Sequence, residues 1–100
     1  MFGITPKSYK ILLSIIEKYS AIEQVIIFGS RAKGTYTEGS DIDITLIGDI
    51  SKNEFYSFKT ALEESSIPYL FDVSIYNELT SDDLKEHIKR VGKVLYQKKK

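Results

Sequence analysis

Apolar residues recur at helical spacing near the start of the chain. Tyr9, Leu12, Leu13, Ile16 and Tyr19 lie three or four positions apart behind Thr5-Pro6, a pairing that places a hydroxyl at the N-cap and proline at the first helical position. A helix is predicted there. The run Val25-Ile26-Ile27-Phe28 is short, β-branched and aromatic, and is stopped by Gly29, which reads as a buried strand. From Gly29 to Ser40 the chain holds three of its six glycines within eleven residues, together with Ser30, Thr35, Thr37 and Ser40. That composition predicts a long shaped loop with at most one helical turn. Asp41 to Ile47 then alternates, with Asp41, Asp43 and Thr45 on one side and Ile42, Ile44 and Leu46 on the other, the period of a second strand. Ser51-Lys52-Asn53-Glu54 is a capping box, and Phe55, Phe58, Ala61 and Leu62 put an apolar stripe on the helix it opens. Pro68 ends any continuation, and Tyr69, Phe71, Val73 and Ile75 alternate with Leu70, Asp72 and Ser74 in a third strand. Ser81 caps a last helix bearing Leu84, Ile88 and Val91, Gly92 stops it, and Val94 to Tyr96 forms a short fourth strand.

Strands interleaved with helices favour a layered fold, and with only a loop between the first two strands a fully parallel doubly wound sheet is not implied. The expected class is α+β, a small mixed β-sheet with helices packed on it, as one domain spanning residues 1–100. One hundred residues suit a single core of this kind.

Composition narrows the chemistry. Fourteen Lys and Arg balance fourteen Asp and Glu, so general electrostatic attraction to polyphosphate is absent, a nucleic-acid partner is not expected, and phosphate recognition has to be local. The sequence has no cysteine and one histidine, which excludes disulfides, thiolate catalysis, Cys-ligated zinc and a His-based metal cage. No apolar run exceeds the four residues Val25 to Phe28, so neither a signal peptide nor a membrane span is expected, and the expected location is the cytoplasm. Lys98, Lys99 and Lys100 read as a solvated end.

Two features stand close together, Gly29-Ser30 after the first strand and Asp41-Ile42-Asp43 opening the second, with ten residues between Ser30 and Asp41. Glycine lets the backbone turn sharply beside a ligand, and Ser30 to Lys33 as one helical turn would aim free N–H groups at an anion, with Arg31 and Lys33 as cations on the phosphate side. Asp41 and Asp43, two apart on a strand, project from one face about 7 Å apart at Cα, a separation from which carboxylates converge on hard divalent cations. If the second and third strands are neighbours, the phase of Asp72 brings it to the same face. Three carboxylates so placed suit two magnesium ions, one on a triphosphate and one lowering the pKa of an attacking hydroxyl. Asp72 on an unpaired edge would instead be a solvated carboxylate, so the strand order decides its role. An EF-hand is excluded because Ile42 and Ile44 belong to a strand, and a Walker A loop because Thr35 and Tyr36 replace its Lys and Ser/Thr. His87, next to core-facing Ile88, reads as partly exposed surface and is given no catalytic role. The seven tyrosines read as packing residues.

The string Phe28-Gly29-Ser30-Arg31-Ala32-Lys33-Gly34, the ten-residue gap and Ser40-Asp41-Ile42-Asp43-Ile44 resemble the signature of the DNA polymerase β-like nucleotidyltransferases, in particular the minimal nucleotidyltransferase (MNT) branch. The likeness continues through Asp72 to Gly92-Lys93-Val94-Leu95-Tyr96 and so covers most of the chain. It implies the polymerase β-like fold and transfer of a nucleoside monophosphate, most often AMP from ATP, to an acceptor hydroxyl. It also implies that Gly29 and Ser30 bind the nucleotide phosphates, that Asp41, Asp43 and Asp72 hold two Mg²⁺, and that Asp72 helps to activate the acceptor. Many MNT sequences have Arg where Lys33 and Thr37 stand here, so one loop cation is exchanged and one lost. A chain this short leaves the wall that holds the acceptor to another polypeptide, and the resemblance implies a helical HEPN toxin, modified on a tyrosine, with this chain as antitoxin. The competing expectation is a binding module that neutralises a helical partner by masking it, without turnover; intact aspartates weigh against it. Self-association is left open.

Overall fold

A computed structural model describes residues 2–37 and 39–99. Helix α1 (Pro6–Glu17) starts where Thr5 caps it by accepting the Ser8 N–H at 3.2 Å. Strand β1 (Gln24–Phe28) leads through Gly29 into the single turn α2 (Ser30–Lys33), and β2 (Ile42–Ile47) follows the loop. The reciprocal Ser51–Glu54 box opens α3 (Lys52–Glu64), and β3 (Phe71–Ile75) runs into a 3-10 turn at Tyr76–Glu78. Helix α4 (Asp82–Val91) then passes through Gly92 into β4 (Lys93–Gln97).

The four strands form one mixed sheet in the order β3-β2-β1-β4, with β1 antiparallel to both β2 and β4, and β2 parallel to β3. The parallel pair is what α3 makes possible, because parallel neighbours need a crossover long enough to return the chain to the same end. One sheet face carries Val25, Ile27, Ile44 and Leu46, all fully buried, and α1 and α3 cover it with Leu12, Ile16, Phe58 and Leu62. The segment just after α1 is pinned to α3 by the Tyr19 and Phe58 rings, edge to face at 5.6 Å, and by the Tyr19 hydroxyl, 2.8 Å from Ser57 Oγ.

The second face carries Ile26 and Phe28 of β1 opposite Thr45 and Asp43 of β2. Phe28 and Ile88 of α4 are buried there, outside the main core. The alternation in β2 marks Thr45 as lying on the polar side, yet Thr45 is fully buried. The reason is that α4 lies against β1 and the 3-10 turn against β2, so the half of this face away from the loop is covered. Gly92 does end α4 as expected, but with an extended backbone, and a Cβ there would collide with Ile88 O and Ile26 Cγ2. It is glycine because the chain must pass close under the sheet.

Candidate active site

The uncovered half of that second face holds the carboxylates. Asp43 and Asp72 are direct partners in the parallel β2–β3 register, and Asp41 stands at the entrance to β2, where the Ile42 N–H donates to Leu70 O at 2.8 Å. That bond sets the register beside the aspartates themselves. The strand order on which Asp72 depended is therefore the one that brings it to Asp41 and Asp43. Asp41 and Asp72 are exposed and Asp43 is half-buried.

The glycine loop meets the same point. Gly29 has φ 76° and ψ −155°, a region closed to residues with a Cβ, and a Cβ built on it would run into Asp43 Oδ2. The turn after β1 and the carboxylate on β2 are thus packed backbone against side chain. Ser30 follows as the first residue of α2, and Lys33 ends that turn, exposed to solvent. At the far end of the loop Thr37 and Ser40 clasp each other, Ser40 Oγ accepting from the Thr37 N–H at 2.9 Å and Thr37 O from the Ser40 N–H at 3.0 Å.

Arg31 departs from expectation. It is 2% exposed, with Nε and Nη2 donating to Ser40 O at 3.2 and 2.9 Å and Nη1 to Phe2 O at 3.0 Å. Its guanidinium is committed to the carbonyls of Ser40 and Phe2 and turned in from solvent, whereas the sequence reading sets it out as a loop cation. The two residues sit on one turn but diverge, because Arg31 has Ser40 and two tyrosine rings to pack against and Lys33 has solvent.

Burial, and after it the charges of Asp72 and Asp41, push the Asp43 carboxyl above its ordinary pKa, while His87 pulls the other way. His87 is partly exposed, as the sequence reading has it, yet it stands beside the site. Its ring stands edge-on to Phe28 with centroids 6.4 Å apart, so α4 brings an imidazole over the carboxylate face. The helix phase puts it on the inward stripe with Leu84, Ile88 and Val91, but phase alone does not say which face of the sheet receives that stripe.

Among the described residues no group of three or more His, Cys, Asp or Glu side chains stands close enough together to hold a metal ion as it is. The chemistry of the donors nonetheless suits one. Three carboxylates on one face supply hard oxygen donors whose mutual repulsion, felt at Asp43, a divalent cation would relieve.

The model of the family described as "Polymerase beta, Nucleotidyltransferase" matches residues 10–100. The chain belongs to that family. Within it, this nucleotidyltransferase is 30% identical over 100 residues to the probable protein adenylyltransferase MntA of Haemophilus influenzae, covering 97% of this chain and 86% of the relative. A shorter match, 59% identical over 29 residues and spanning 29% of each chain, is to a protein of Methanocaldococcus jannaschii that also carries the name of a protein adenylyltransferase. Among solved structures, a toxin–antitoxin crystallised with AMP-PNP superposes with TM-score 0.73 at 19% identity, over 90% of this nucleotidyltransferase and 73% of that chain. The toxin–antitoxin MntA-HepT gives 0.68 at 18% identity, over 94% and 74%. The relatives place the nucleotidyltransferase in the MNT branch, and the structures bear out the α+β fold with its mixed sheet. No helix among the described residues is long and apolar enough to cross a membrane.

Proposed function

We propose that this nucleotidyltransferase transfers AMP from ATP to a hydroxyl on a protein, a tyrosine of a helical HEPN-type toxin. The observation that carries the reading is the row Asp43–Asp72 with Asp41 at its end, on the face where Gly29 and Ser30 turn. The acceptor class rests on the relatives: the Haemophilus influenzae protein is named a protein adenylyltransferase, and the superposed structures are toxin–antitoxin complexes.

Asp41, Asp43 and Asp72 would hold two Mg²⁺, which neutralise the triphosphate and acidify the acceptor hydroxyl. Gly29 lets the backbone approach the phosphates, and Ser30 offers a hydroxyl and a helix-turn N–H. Lys33 is the loop cation placed to meet the outer phosphates. The acceptor oxygen attacks the α-phosphorus in line, the bond to the pyrophosphate oxygen breaks, and the Asp72 carboxylate takes the hydroxyl proton. Asp72 suits that role because it is exposed at the rim, where an acceptor arrives.

The test is incubation with α-labelled ATP, Mg²⁺ and the co-purified partner. Label should move to the partner and be lost, by roughly three orders of magnitude or more, in the Asp41→Asn/Asp43→Asn variant. No transfer by the native chain, together with full neutralisation of the partner by that variant, would establish masking in place of catalysis.

A further inference from the structure

Arg31 is a buried cation in a largely exposed loop, and most of the groups it touches belong to segments that lead to a site residue. Its guanidinium carbon lies 4.8 Å from the centroid of the Tyr69 ring and 5.2 Å from that of Tyr36. Ser40, whose carbonyl takes two of its donors, is bonded to Asp41. Tyr69 lies three residues before Asp72, and Arg31 itself lies two residues after Gly29, which abuts Asp43. The N-terminal segment closes the cluster: Phe2 O accepts from Nη1, Tyr69 Oη donates to Gly3 O at 3.4 Å, and a Cβ at Gly3 would run into the Tyr36 ring and Arg31 Nη1.

A buried charge is costly to keep unless its hydrogen bonds are met and its geometry specifies something, and an apolar side chain of similar volume would fill this space more cheaply. What the charge specifies here is the placement of two chain segments far apart in sequence. Both Nε and Nη2 hold one carbonyl, which fixes the peptide plane leading into Asp41, and the flat cation stacked on Tyr69 ties that plane to the approach of Asp72. We propose that Arg31 is a positioning residue, setting the spacing between Asp41 and Asp72 so that the carboxylates receive divalent metal. The inference rests on the metal-dependent reading above. It concerns a residue that touches neither metal nor nucleotide.

Two properties separate this role from a phosphate contact. A phosphate contact acts on nucleotide affinity and is partly kept by lysine, which also grips phosphate; a positioning fork is not replaced by lysine, which lacks the planar donor pair. The experiment uses the full chain and titrates Mn²⁺ by electron paramagnetic resonance in the native protein, Arg31→Lys, Arg31→Met and Tyr69→Leu, then measures kcat and the KM for ATP with the partner as acceptor. Arg31→Lys and Arg31→Met should bind Mn²⁺ about 10- to 100-fold more weakly, the range typical for residues that orient metal ligands, with kcat falling and the ATP KM within about twofold of native. Tyr69→Leu, which leaves the arginine in place and removes one of its stacking faces, should move the same way by less. It decides the matter if the arginine variants fail to fold. Native-like Mn²⁺ affinity in folded Arg31→Lys and in Tyr69→Leu overturns the proposal, as does a raised ATP KM at unchanged kcat. A native chain that binds no Mn²⁺ overturns the metal reading and this proposal together, whereas native binding that the variants retain overturns this proposal alone.

Discussion

Asp43 is the residue whose environment makes the sharpest demand. It is half-buried between two other carboxylates, and the folded state therefore holds its proton more tightly than the unfolded chain does. A raised carboxyl pKa means that ionisation costs stability at neutral pH, and that this cost is relieved as pH falls through the raised value toward the ordinary carboxyl range. Asp43→Asn removes the charge and keeps the shape, so in metal-free buffer it should melt above the native protein at pH 7 and flatten the rise on acidification. On the metal reading, Mg²⁺ should raise the Tm of the native chain, and the same variant should lose most of that shift. Thermal scans from pH 7 down into the ordinary carboxyl range, with and without Mg²⁺, read both effects, and a variant that melts lower in metal-free buffer would refute the account. The aspartates were legible in sequence because the period of a strand fixes which face each residue takes. Arg31 and His87 were not, because a loop cation turns toward whatever the tertiary fold offers it, and an imidazole on a helix becomes a neighbour of the site only once that helix has docked.

At the scale of elements, the boundaries follow local chemistry and the coverage does not. Thr5, Ser51 and Ser81 each cap the helix that the sequence assigned to them, since a cap is read from a few adjacent residues. The strands fell within one or two residues of expectation, β3 starting at Phe71 where the alternation begins at Tyr69, and β4 running from Lys93 to Gln97. The 3-10 turn at Tyr76–Glu78 and the burial of Thr45 beneath it were not legible, because which half of a face is covered depends on the path of a distant helix. The α1–α3 layer carries much of the stability. Phe58 is fully buried at its centre, and Phe58→Ala should cost about 3–5 kcal/mol. Against the roughly 5–15 kcal/mol typical of a domain this size, urea unfolding should show a large fall in midpoint. The carboxylate face lies on the other side of the sheet, so any folded fraction should keep its Mn²⁺ affinity.

For the whole molecule, the sheet order decides when the site comes into being. Asp43 and Asp72 belong to parallel neighbours joined through α3, so they meet only after a 29-residue excursion of the chain has closed and its helix has packed. Contacts of that sequence separation are entropically late, while the antiparallel β1–β2 pairing closes a shorter loop. A metal held across β2 and β3 would therefore bind the native state and little that precedes it. In denaturant-jump kinetics Mg²⁺ should slow unfolding and leave the refolding rate unchanged, with the whole gain on one arm of the chevron. Mg²⁺ that speeds refolding would mean that β2 and β3 pair before the barrier. On this topology a bound cation would be no chaperone for its own site: it would lengthen the life of a fold that protein contacts alone have to build, and whatever sequestered the metal would shorten that life without altering how the chain first folds.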